Sequence, residues 1–113
     1  MSTAHVVVTA LAILANAGTA VADLVKAGFV LANSAEVGVP RSWLPLLGAL
    51  KGAGAVGLLL GLLGVPVVGT AAAIGLVAFF VGAVGAHVRA GVWHNIAVPG
   101  AFLALAVASL VLG

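Results

Sequence analysis

Charged side chains are scarce in this sequence. Only 5% of its 113 residues are Asp, Glu, Lys or Arg, whereas 65% are hydrophobic. A soluble domain usually carries about 25% charged residues, so this chain cannot cover a water-facing surface. The same composition excludes intrinsic disorder, because disordered chains are polar. It therefore predicts a protein whose apolar surface faces lipid.

Cysteine is absent, which excludes disulfides, thiolate metal sites, C-x-x-C redox chemistry and cysteine nucleophiles. The formal net charge of +2 is not concentrated in a basic stripe, so nucleic-acid binding has no support. No Lys or Arg precedes the first apolar run, as a signal peptide would require, and we expect no cleavage there. There is also no Walker loop and no G-x-S-x-G motif.

Long apolar segments alternate with short polar turns along the chain. About 20 helical residues cross the ~30 Å hydrocarbon core of a bilayer, and the segments are continuously apolar, unlike the alternating strands of a membrane barrel. Gly64-Val65-Pro66 is a turn between two of them, because Gly ends a helix and Pro begins the next. We predict an all-α integral membrane four-helix bundle, a single transmembrane domain (residues 1–113) with spans at about 3–31, 43–63, 67–88 and 96–113.

Glycine is abundant, with 16 residues. Small residues four apart let helix backbones approach closely in lipid, where the usual hydrophobic drive is missing. We predict helix packing at Gly48, Gly52, Gly57, Gly61 and Gly82. Packing within the bundle is the preferred interpretation, and a homodimer face that includes Gly57, Gly61 and Gly64 is the alternative.

Two opposite charges lie at matching positions on the first two spans. If these spans form an antiparallel hairpin centred near Val37, Asp23 and Lys51 are each 14 residues from its centre. Both would then lie roughly 12 Å inside their helix ends, where a charge is costly unless it is paired or faces water. We therefore predict an Asp23–Lys51 pair. The competing pairings are Lys51 with Glu36, and Lys26 with Asp23 within one helix.

The polar residues near this pair have two interpretations. In the first, the pair only fixes helix register, the other basic side chains extend to lipid headgroups, and Trp43 and Trp93 are interface anchors. In the second, the polar end is a pocket that holds the head of an amphiphile. The candidate ligand-binding residues are Asp23, Lys26, Lys51, His87 and Arg89. No metal site is predicted, because the spacing of Asp23, His87 and His94 matches no strong metal motif.

From about Asn16 onward, the chain resembles the DoxX-like family of small four-span membrane proteins. The resemblance rests on a long first helix with Lys26 near its end and on the later segments Val39-Pro40, Leu47–Lys51, Gly57–Leu62, Val65-Pro66 and His87-Val88-Arg89. It implies a four-helix membrane bundle and carries over Lys26, Lys51, His87 and Arg89 as matching polar positions, none with a catalytic role. Family members are associated with quinone-linked sulfur oxidation, with membrane redox complexes that include superoxide dismutase, and with membrane-protein assembly. The absence of cysteine argues against an intrinsic thiol-redox role here.

The sequence is compatible with two functions. The first is an accessory or scaffold subunit of a membrane complex, in keeping with the redox complexes of the family. The alternative is a protein or enzyme that binds a quinone, a lipid or another lipophile at the polar end. The expected partners are the lipid bilayer and either a second copy or a larger membrane protein. No cofactor is required, although a quinone is compatible, and a transporter is the weakest hypothesis. A cavity of several hundred Å³ that reaches Lys51 would favour the alternative.

The distribution of basic residues predicts the orientation in the cell membrane. Lys26, Arg41, Lys51 and Arg89 all belong to the end of the bundle that carries the first and third loops. Because cytoplasmic loops are enriched in Lys and Arg, we expect these loops in the cytoplasm and both termini of this multi-pass protein outside. A reporter that is active only outside the cytoplasm should give signal when fused after Gly113 and none when inserted at Gly38. The reverse pattern would contradict this orientation.

Overall fold

The structure, a computed structural model, describes residues 1–113 and contains only helices and turns. A single 3-10 turn at Arg41–Trp43 leads directly into the third α-helix. The predicted fold class, an all-α membrane bundle, is confirmed. The five α-helices are α1 (Thr3–Leu24), α2 (Gly28–Glu36), α3 (Leu44–Leu62), α4 (Pro66–Ala90) and α5 (Ala97–Leu112).

Four of the helices pack in a ring. Helix α1 packs against α3 and α5, and α4 packs against the same two helices on the other side. Their inner faces meet in a core of small and apolar side chains that all four helices supply. Its buried members are Ala12, Leu58, Ala73, Leu76, Phe80 and Ala106. The short helix α2 lies outside this ring, at the end where α1 gives way to α3.

The outer surface is apolar. Leu14, Leu63 and Val67 are 71%, 72% and 78% exposed, which in water would create a large aggregating surface but in lipid costs nothing. By length and composition, the helical segments Thr3–Leu24, Arg41–Leu62 and Pro66–Ala90 can each cross a membrane. Helix α5, with 16 residues, is about 24 Å long, so a fourth crossing stays a prediction.

The first predicted span ends earlier than expected. Helix α1 stops at Leu24, and Lys26 has a left-handed backbone with φ of 51°. The amide of Lys26 donates to the Asp23 carbonyl at 3.1 Å, and the amide of Ala27 donates to the Ala22 carbonyl at 3.0 Å, which together form a Schellman helix ending. The predicted continuous span to residue 31 is therefore wrong. Its ending carries no glycine, which is the usual signal in sequence.

The next three helices end in the same way, but with glycine. Gly38, Gly64 and Gly91 follow α2, α3 and α4 with φ of 75°, 112° and 69°. In each case the amide after the glycine donates to the carbonyl five residues earlier, at 2.9–3.0 Å. The chain thus satisfies several of its own helix-end carbonyls, which lowers the cost of placing such a turn near lipid.

Glycines on α3 allow close contact with α4. A Cβ on Gly57 would lie 2.6 Å from the Ala72 Cβ, and one on Gly61 would lie 2.7 Å from the Gly69 Cα. Both distances are too short for a real side chain, so the space beside these two glycines is already filled by α4 of the same chain. This contact supports the interpretation that they pack within the bundle rather than forming a homodimer face.

The remaining predicted packing glycines differ from one another. A Cβ on Gly48 would lie 3.0 Å from the Asp23 Cβ and from the Ala20 carbonyl oxygen, which marks a close contact of α3 with α1. Gly52 has only an ordinary contact, 3.8 Å from the Ala20 Cβ. A Cβ on Gly82 would meet nothing within 4 Å, so the structure does not place this residue at a helix–helix contact.

We expect Gly57→Leu to separate α3 from α4. Overpacking a filled contact typically costs about 1–3 kcal/mol, so the variant should lose thermal stability in detergent or shift its oligomer distribution. Gly18→Leu is the matched control, because Gly18 is an exposed helical glycine whose Cβ would meet nothing within 4 Å. If Gly57→Leu behaves like this control, the packing argument fails.

Candidate binding site

A buried ion pair joins α1 to α3. The Lys51 Nζ lies 2.7 Å from the Asp23 Oδ2, and the two side chains are 13% and 4% exposed. The contact is an ion pair, and the Lys51 ammonium has three N–H donors, so it keeps donors for a further partner. Asp23 lies in the last turn of α1, not about 12 Å inside its helix as the hairpin argument assumed.

The competing pairings are not formed. The Glu36 Oε2 contacts the His94 Nε2 at 2.7 Å, at an exposed position, instead of Lys51. Lys26 follows the end of α1, so it is not the helical neighbour of Asp23 that the sequence predicted. It is also absent from the walls of the cavity described next. The structure therefore separates Lys26 from the other candidate ligand-binding residues.

A cavity of about 610 Å³ adjoins the ion pair. Four of the five candidate ligand-binding residues line it, namely Asp23, Lys51, His87 and Arg89. Gly82 also lines the cavity, which explains why no side chain lies close to its Cα. Helix α2 contributes Asn33 and Ser34 to the wall, together with apolar residues.

Aromatic side chains form part of the same cavity wall. The rings of Phe79 and Phe80 are 4.9 Å apart, and those of Phe80 and Phe102 are 5.2 Å apart. The Lys51 Nζ is 5.7 Å from the centre of the Phe79 ring, within range of a cation–π contact. Sequence reasoning missed these residues, because a phenylalanine in an apolar span gives no sign of which way it faces. The cavity thus combines one charged region with a largely apolar lining.

His87 occupies the last turns of α4 and is only 4% exposed. Its Nδ1 lies 2.9 Å from the Ala83 carbonyl oxygen, one turn earlier in the same helix. Its other ring nitrogen, Nε2, is buried and has no hydrogen-bond partner. His94 lies instead against Glu36, and no group of three or more His, Asp or Glu side chains is arranged to hold a metal ion.

Two polar contacts tie α2 to the turn between α4 and α5. One is the His94–Glu36 contact, and in the other the Asn95 Nδ2 donates to the Asn33 Oδ1 at 2.8 Å. Because Asn33 also lines the cavity, these contacts hold part of the wall in place. They join residues about 60 positions apart in the chain, and no sequence pattern predicted them.

A second polar cluster lies at the other end of the bundle. The hydroxyls of Thr9 on α1 and Ser109 on α5 are 2.7 Å apart and buried, beside a cavity of about 230 Å³ that His5 also lines. The sequence did carry a signal for this buried polar face. Thr9, Asn16 and Asp23 are seven residues apart, which is two helical turns, and all three are buried.

An apolar outer surface, helices long enough to span a bilayer and a buried ion pair beside a cavity together define a small α-helical integral membrane protein. The chain belongs to the DoxX-like family, whose family model matches residues 7–109. This match confirms the resemblance drawn from the sequence. Searches of curated proteins and of solved structures found no match.

We expect Asp23 and Lys51 to behave as a coupled pair. Removing one partner of a buried pair typically costs about 3–5 kcal/mol in a soluble protein, and neutralisation or nearby water reduces this in a membrane. Asp23→Asn and Lys51→Met should each lower thermal stability. The double variant should lose less than the sum, because no lone charge remains. Additive losses in this double-mutant cycle would show two independent polar residues.

Proposed function

We propose that this DoxX-like protein binds a lipophile with a polar head, such as a lipid or a quinone. The head lies against Asp23, Lys51 and His87, and the apolar body lies along Phe79 and Phe80. The proposal concerns binding alone, and no reaction is assigned to the site.

The cavity is the observation that carries the proposal. Pockets for small molecules usually measure about 300–1,000 Å³, are mostly apolar and carry a few convergent polar groups. The cavity of about 610 Å³ beside the ion pair has each of these properties. A filled core at this end would instead have favoured a purely structural role.

The charges at the cavity support an amphiphile over a fully apolar ligand. A charged group inside a membrane is costly, and such groups usually mark a binding or transport function. Asp23 and Lys51 offset each other, and the Lys51 ammonium carries three N–H donors, so it keeps donors beyond its contact with Asp23. A polar head seated beside the pair can accept hydrogen bonds from those donors.

Native mass spectrometry of gently solubilised protein tests the proposal. The wild-type chain should retain a lipophile, and Gly82→Leu should lose it, because Gly82 lines the cavity and a Cβ there meets no protein atom within 4 Å, which leaves space for the new side chain to occupy. Gly18→Leu is the matched control, because Gly18 is a helical glycine outside the cavity whose Cβ also meets nothing within 4 Å. Equal retention by wild type and Gly82→Leu would refute binding in the cavity.

An accessory or scaffold subunit of a membrane complex is the second candidate function. A groove on the outer side of α3 and α4, where the exposed small residues Ala53, Ala71 and Gly75 lie, favours it, since small residues allow a partner helix to approach. The same mass spectra report bound protein subunits. A homo-oligomer or co-purified partner that dissociates in Gly75→Leu but not in Gly18→Leu would support this role, and a monomer throughout would oppose it.

A further inference from the structure

His87 presents one nitrogen to its own helix and leaves the other without a partner. The Nδ1 lies 2.9 Å from the Ala83 carbonyl oxygen. A carbonyl oxygen only accepts hydrogen bonds, so the hydrogen of this contact is on Nδ1. In a neutral imidazole with its hydrogen on Nδ1, Nε2 carries a lone pair and is an acceptor. The helix backbone thereby selects which kind of partner Nε2 can take.

No group of the protein fills that role. The Nε2 is buried without a hydrogen-bond partner, and a buried polar atom in this condition destabilises the folded state. Two cationic side chains, Lys51 and Arg89, line the same cavity, but Lys51 is engaged with Asp23 and neither is hydrogen-bonded to His87. His87 lines the cavity, so a ligand that fills the cavity lies against this side chain.

The chemistry of this acceptor narrows the ligand class. A head that only accepts hydrogen bonds, such as a quinone or an ether, leaves Nε2 without a partner. A hydroxyl group donates one hydrogen bond and still accepts another, and Lys51 offers donors to the same cavity. The neighbouring phenylalanine rings suit an aromatic or alkyl body attached to that hydroxyl.

We propose that the His87 Nε2 accepts a hydrogen bond from a hydroxyl group of the bound lipophile, so that the cavity takes hydroxyl-bearing lipophiles in preference to their ethers. This inference rests on the proposed function, since it requires that a lipophile occupies the cavity. It adds the class of head group and names the atom that selects it.

Matched probes test the preference. 4-Octylphenol and 4-octylanisole share a ring and a chain, but only the phenol has a hydrogen to donate. The wild-type protein in detergent should bind the phenol about tenfold more tightly, because the ether leaves a buried acceptor unsatisfied. His87→Phe keeps a ring but removes the acceptor, and should bring the affinity ratio close to one.

Nitrogen-15 NMR of histidine-labelled wild-type protein gives a readout that does not depend on any variant folding. The His87 Nε2 should show the shift of an unprotonated imidazole nitrogen, and this shift should move on addition of the phenol and stay in place with the ether. A hydrogen found on Nε2 in the ligand-free protein would overturn the inference.

The remaining outcomes separate the inference from the proposed function. If the wild type binds both probes equally, and Gly82→Leu binds neither, the cavity is a lipophile site but His87 does not select hydroxyls. If the wild type binds neither probe and retains no lipophile in native mass spectra, the proposed function fails and the inference fails with it. A preference that survives His87→Phe would assign hydroxyl selection to another residue.

Discussion

The ion pair between Asp23 and Lys51 is the constraint on which the rest of this structure depends. In a chain with so few charges, two of them lie almost fully buried between α1 and α3, where neither is tolerable without the other. A buried pair contributes little net stability compared with apolar packing, but it penalises every register that separates the charges. It also introduces polarity into an apolar interior, and the cavity lies beside it.

Small residues make that pair geometrically attainable. Gly48 lies one turn before Lys51 on α3 and is in close contact with the backbone and Cβ atoms of α1 around Asp23. A larger residue there would hold the helices apart and lengthen the contact between the charges. Gly57 and Gly61, farther along α3, allow the same close approach to α4. Close helix packing and the ion pair are therefore two parts of one arrangement, in which glycine sets the distance and charge sets the register.

Composition and the length of the apolar segments were sufficient to predict the helical membrane class, because an apolar chain with so few charges has few other solutions in lipid. Counting residues from Val37 indicated that Asp23 and Lys51 face each other, although the reasoning assumed a continuous first helix and α1 in fact ends at Leu24. That ending was not predictable, since a left-handed lysine carries no local signal. A pocket at the polar end was one of two interpretations of the sequence, which could not decide between them or reveal the unpartnered Nε2 of His87, because both depend on how side chains from several helices pack.

The turn at Gly64 has a consequence for how the protein fits bilayers of different thickness. Its flanking side chains, Leu63 and Val65, are apolar and exposed, and the amides of Leu63, Gly64 and Val65 are hydrogen-bonded within the chain. Trp43 and Trp93, which are exposed near the charged loops, are residues of the type that anchors at an interface. Hydrophobic mismatch in the α3–α4 hairpin would therefore be met more easily at the turn, whose side chains are apolar, than at the end that carries the tryptophans.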